Sequence, residues 1–128
     1  MAYAIAIPLI FHGLANVAGV FSAWLKSMQG FTNSAWLFSS GVVLKSTLGQ
    51  VFSLVWLAST LCLVSAGVGL LLHQPWWKFI AILGCCFSLA AIVSWWKAVP
   101  GGARFGAIFD MLMLILLLLP LGARIAQK

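Results

Sequence analysis

Four long apolar runs, separated by short breaks rich in polar residues, proline or glycine, organise the chain. They cover residues 4–25, 51–72, 77–96 and 105–121. Each has roughly 17–22 residues, enough to cross a hydrocarbon core of ~30 Å at ~1.5 Å per helical residue. Backbone groups in lipid must be satisfied internally, which predicts helices. The alternating ten-residue segments of a membrane barrel are absent. The fold expected is all-α: one membrane domain over residues 1–128, an antiparallel four-transmembrane-helix bundle.

The breaks refine the picture. His73-Gln74-Pro75 joins the second and third runs, and Val99-Pro100-Gly101-Gly102 joins the third and fourth. Proline stops a helix and glycine favours a turn. Links this short make sequential helices antiparallel neighbours. The link over 26–50 is longer. Its triplets Trp36-Leu37-Phe38 and Val42-Val43-Leu44 flank Ser39-Ser40-Gly41. It is too short and too polar to span, and is expected on the interface as a short amphipathic helix or a tight hairpin. The first run lacks a charged leader, exceeds the apolar stretch of a signal peptide and carries His12 and Asn16, so it reads as a retained helix.

Tryptophans and cations mark the bilayer edges. Trp76, Trp77 and Lys78 stand at one end of the third run, and Trp95, Trp96 and Lys97 at the other. Along a helix the two tryptophan levels are roughly 27 Å apart. Both doublets are expected at the headgroup level as membrane-interface anchors.

Composition excludes the other broad classes. The chain is 64% hydrophobic and 6% charged, whereas a soluble domain is about half apolar and about a quarter charged. A soluble protein of this size would leave too much apolar surface in water, and disorder needs the opposite composition. The net charge of +6 comes from seven cations against one acid, Asp110. The cations flank the apolar runs and form no cluster interleaved with aromatics, so nucleic acid is not an expected partner. Four spans put both termini on one side. Lys78, Arg124 and Lys128 fall there; Lys26, Lys45, Lys97 and Arg104 fall on the other. The slight excess places the 26–50 link in the cytoplasm, and the near tie also fits dual topology.

Few residues offer chemistry. Cys62, Cys85 and Cys86 show no metal spacing and no C-x-x-C, and read as buried small hydrophobes. No G-x-S-x-G, carboxylate pair, H-E-x-x-H or phosphate loop is present. No catalytic residue and no metal site is assigned. Polar groups within spans are expensive and are therefore candidates for function. His12 and Asn16 share a helix face that Gly19 and Ala23 continue, a stripe suited to another helix rather than lipid. Gly102 and Gly106 form G-x-x-x-G, with Asp110 at the next step. An antiparallel first and fourth helix would bring His12 and Asp110 within about 7 Å of one level, and Asn16 nearer still. A buried His12–Asn16–Asp110 cluster is expected, either as static hydrogen bonding or as a proton or ligand site. His12 is a candidate for binding a single haem or pigment. His73, at a helix end, is too far along the membrane normal to serve as a second axial ligand. No cofactor is predicted, although a groove beside Gly102–Gly106 would admit a lipid, quinone or pigment.

In size and layout the chain resembles the small four-helix bacterial membrane proteins of the DoxX-like type. The stretches concerned are Phe11-His12-Gly13 in the first run and Ser65 to Leu72 closing the second. The resemblance is one of hydrophobicity pattern and carries over no functional residue. It implies a bacterial inner-membrane location. Quinone- and thiol-linked enzymes of that architecture depend on redox cysteines, and the C-x-x-C they use is missing. Three roles stay open: a non-enzymatic subunit or assembly factor of a larger membrane complex, a small homo-oligomeric transporter or channel using Asp110 and His12, and a membrane oxidoreductase or lipid-linked enzyme.

Overall fold

A computed structural model describes residues 1–26 and 30–120. It contains four helices in chain order: α1 (Ala2–Trp24), α2 (Thr47–Leu71), α3 (Trp77–Ser94) and α4 (Gly101–Leu118). All four are long and apolar enough to cross a membrane, and the protein is a small polytopic membrane protein. Residues 121–128, with Arg124 and Lys128, lie outside the described residues, so the expected common side of the termini does too.

Two helices begin a full turn earlier than their hydrophobicity suggests. For α2 the cause is Ser46, whose hydroxyl accepts the Gly49 N–H at 3.1 Å and donates to the Val43 carbonyl at 2.7 Å. This cap supplies one of the acceptors that a helix start needs. For α4 the cause is Pro100, whose extended backbone precedes Gly101 directly. The glycines and Arg104 continue the helix despite their poor hydropathy. At the other end of α2 a Schellman closure forms: the Gln74 N–H reaches the Gly69 carbonyl at 2.8 Å. His73 takes the left-handed position at φ 53°, one that usually goes to glycine.

Glycine lets α1, α2 and α3 approach closely. A Cβ on Gly67 would lie 2.5 Å from Ile10 Cγ1 and 2.9 Å from the Ala6 carbonyl. A Cβ on Gly13 would lie 2.9 Å from Leu63 Cβ, and one on Gly84 2.8 Å from the Leu63 side chain. Gly19 receives the face of the Trp56 ring, and Ala23 is buried beside it in the same apolar cluster. Without a hydrophobic force between helices in lipid, such close packing is the main source of association. The chain of contacts runs α1 to α2, α2 to α3 and α3 to α4. Helix α4 is therefore peripheral, burying only Asp110, Met113 and Leu117.

Within the link between α1 and α2, residues 35–43 form a hairpin. Trp36 N–H donates to the Val42 carbonyl at 3.0 Å, and Ala35 bridges Val43 in antiparallel fashion. It folds into the end of the bundle: Leu44 is fully buried and Phe31 nearly so. Thr32 and Leu37 donate backbone N–H groups to the carbonyls of Ala98 and Ser94. Thr32 Oγ1 donates to the Lys97 carbonyl at 3.1 Å. The hairpin thereby satisfies carbonyls that the end of α3 leaves free.

The tryptophan doublets divide between surface and core. Trp76 and Trp96 are exposed, but Trp77 and Trp95 are core residues, 3% and 1% exposed. Neighbours on a helix point about 100° apart, so one member of each doublet faces outward. Trp77 and Trp95 are separated by five whole turns and share the inward face. Lys97 is exposed and Lys78 half-buried.

Candidate functional site

Two apolar clusters divide the interior. One lies toward the start of α1 and includes Leu9, Leu63, Trp77, Met113 and Leu117. The other lies under the hairpin and includes Ala23, Leu44, Trp56, Ile92 and Trp95. A polar layer crosses the bundle between them, with a contribution from every helix.

His12 Nε2 lies 2.9 Å from Asp110 Oδ1 and 3.2 Å from Ser88 Oγ. Asn16 does not reach Asp110 directly. Its Nδ2 donates to Ser88 Oγ at 3.1 Å and to Ser59 Oγ at 2.9 Å. Ser59 in turn donates to the Gly84 carbonyl at 2.9 Å. Asn16 and Asp110 thus belong to one network joined through Ser88. The two serines are fully buried. Sequence reasoning passed them over, although each stands in the middle of an apolar run, where a hydroxyl needs a partner.

The geometry constrains the protons. Asp110 is fully buried; among the described residues its Oδ2 has no N–H or O–H partner, and the Cys85 thiol lies beside the carboxyl. A net charge sealed within the apolar region is costly. The pair stays neutral overall if His12 is imidazolium and donates from Nε2 to the carboxylate, or if the acid carries the proton on either oxygen and the imidazole tautomer follows. Nδ1 bears a hydrogen except where a neutral Nε2–H donates to the acid. It has no hydrogen-bond partner among the described residues and is not sealed from open space. The same holds for Asn16 Oδ1, whose amide has only its nitrogen engaged.

These two free atoms belong to residues that line one cavity of about 260 Å³. It lies on the α1–α4 seam, toward the hairpin. His12, Asn16 and Gly19 form one wall, and Gly102, Ala103 and Gly106 of α4 form the opposite one. Phe31 and Trp56 close it from the hairpin side, edge to face with centroids 5.8 Å apart. The His12 ring is held from the other side by Phe109, at 4.6 Å between centroids. Gly106 makes room for it: a Cβ there would sit 2.8 Å from His12 Cε1.

Gly102 requires correction as a packing residue. A Cβ there would meet nothing within 4 Å, and the residue is exposed. It edges the cavity instead of joining two helices. The G-x-x-x-G pattern therefore splits into one glycine that seats an imidazole and one that leaves space.

Compared with family models, curated proteins and solved structures, the chain matches none. The reading of the site therefore rests on its geometry. His73 sits in the turn after α2 and takes no part in the hydrogen bonds or the cavity lining at His12. Among the described residues no group of three or more His, Cys, Asp or Glu side chains is arranged to hold a metal. Cys85 neighbours Asp110 but is fully buried and forms no part of the cavity wall.

Proposed function

We propose that this protein is a non-catalytic membrane binding subunit that holds a hydroxyl-bearing amphiphile, such as a phenol or alcohol with an apolar body, on the α1–α4 seam. The observation that carries the reading is the pairing of two free polar atoms on an otherwise apolar cavity wall. Asn16 Oδ1 is an acceptor, and His12 Nδ1 is a donor whenever Nε2 accepts from Asp110 or the ring is imidazolium. A hydroxyl is the simplest group that satisfies both at once, accepting from the imidazole and donating to the amide. A cavity of about 150 Å³ accepts benzene, so 260 Å³ suits one substituted ring or a comparable head. Pockets of this kind are mostly apolar with a few polar groups that fix orientation. The site offers recognition through one imidazole and one amide, with no second titratable side chain lining the cavity. It fits a subunit that retains or presents a membrane-dissolved molecule to a larger assembly.

The test compares 4-octylphenol with octylbenzene on delipidated protein in mild detergent, read by tryptophan fluorescence because Trp56 lines the cavity. The phenol is expected to bind more tightly than the hydrocarbon by about tenfold, the order of one to two hydrogen bonds. Asn16→Ala and His12→Ala should each remove most of that preference. Equal binding of the two probes by the wild type would refute the reading.

A second reading is proton transfer through the His12–Asp110 pair as part of a transporter or channel. It is supported by the buried Asp110 carboxyl in the middle of a candidate span, whose Oδ2 has no N–H or O–H partner among the described residues. Proton flux into proteoliposomes that disappears in Asp110→Asn would favour it over the binding subunit. Background flux in both chains would count against it.

A further inference from the structure

On the outer side of α4, away from the polar layer, a second and larger concavity runs between α3 and α4, about 630 Å³ in volume. Its floor is apolar, built from Leu89 and Val93 of α3 and Ile108 and Met111 of α4. From Leu89 to Trp96 it follows α3 and the turn after it for roughly 10 Å. Trp96 and Arg104 stand at its head. The guanidinium lies 4.9 Å from the centre of the Trp96 ring, and Nη2 donates to the Trp96 carbonyl at 3.0 Å. These contacts fix the plane of the group and use one of its five N–H donors.

The remaining donors have no internal anion to meet. Asp110 is the only acid in the chain, and it is buried against His12. The same end of the bundle carries Lys26, Lys45 and Lys97, again without an acid. The first turn of α4 adds open backbone at Gly101 and Gly102, where a Cβ on either residue would meet nothing within 4 Å. An oriented guanidinium above an apolar channel, at the edge of a membrane span, complements a phosphate above an acyl chain.

We infer that the α3–α4 groove is a binding site for an anionic phospholipid, with Arg104 on the phosphate and the acyl chain along Val93, Leu89, Ile108 and Met111. The cation surplus selects net negative headgroups over zwitterionic ones, and the apolar channel selects a lipid over free phosphate. The inference is independent of the α1–α4 cavity, which lies on the opposite side of α4.

Native mass spectrometry on protein from nanodiscs of phosphatidylglycerol and phosphatidylcholine with identical acyl chains tests it. The wild type is expected to retain phosphatidylglycerol in preference. Arg104→Gln keeps a donor for the Trp96 carbonyl but loses the charge, and should lower that preference about fivefold, the scale of one cation near an anionic lipid. Val93→Phe, at an exposed position that fills the groove, should reduce retention of both lipids. Lys78→Gln, at the far end of the bundle, should change neither. An unchanged lipid ratio in Arg104→Gln would overturn the inference. So would a dimer that excludes lipid from the wild type, since a second copy would then occupy the groove.

Discussion

Between α1 and α2 the helices meet through glycine, and neighbouring side chains and backbone fill the space a Cβ would need at Gly13, Gly19 and Gly67. Between α1 and α4 the approach is made by side chains, with one imidazole at its centre. His12 touches Asp110, Phe109 and the space above Gly106, while Gly102 faces nothing. The first seam is closed by shape, and shape is what holds helices together in lipid. The second is closed by a polar contact, and it is there that the bundle keeps a cavity. Local opening costs least where buried contacts are few. The contrast assigns rigidity to the α1–α2–α3 unit and access to the edge where α4 is attached.

Five substitutions would break or sharpen this contrast, each read as thermal stability in mild detergent. Trp77→Ala empties a core position within the three-helix unit and should cost about 3 kcal/mol, while Trp76→Ala next to it should cost little. Gly67→Val drives a branched side chain into Ile10 and the Ala6 carbonyl, and should cost about 2–3 kcal/mol through overpacking. Asp110→Leu leaves His12 Nε2 with Ser88 Oγ as its remaining partner, and should cost about 1–3 kcal/mol. If the polar contact were incidental to the α4 seam, stability would be unchanged. Gly102→Leu should cost less than about 0.5 kcal/mol, because the side chain enters open space. A large loss there would mean that α4 packs more closely than the structure has it.

The sequence made the fold legible because its strongest signal, uninterrupted hydrophobicity, is the one the bilayer selects on. Hydropathy misplaces the starts of α2 and α4 because capping by Ser46 and Pro100 outweighs it over a single turn. The inward turn of Trp77 and Trp95 is encoded in their 18-residue separation, but aromatic preference for the interface masks it. At the site, His12, Asn16 and Asp110 stand out because polarity is rare in these runs. Ser59 and Ser88 do not stand out, since serine is small enough to pass for a packing residue. The hairpin's role as a wall of the cavity is not legible at all. It depends on Phe31 meeting Trp56, two residues 25 positions apart with no shared periodicity.

The central claim is that the α1–α4 seam holds a small molecule against His12 and Asn16. The most direct test compares the small molecules released from wild-type protein and from Ala103→Phe, both extracted gently from the same native membrane. Ala103 lines the cavity wall, and phenylalanine there fills the space without touching the polar layer's hydrogen bonds. The account predicts a hydroxyl-bearing compound, near one per chain, in the wild type and its loss from a variant of equal thermal stability. The same small-molecule content in both proteins would contradict it.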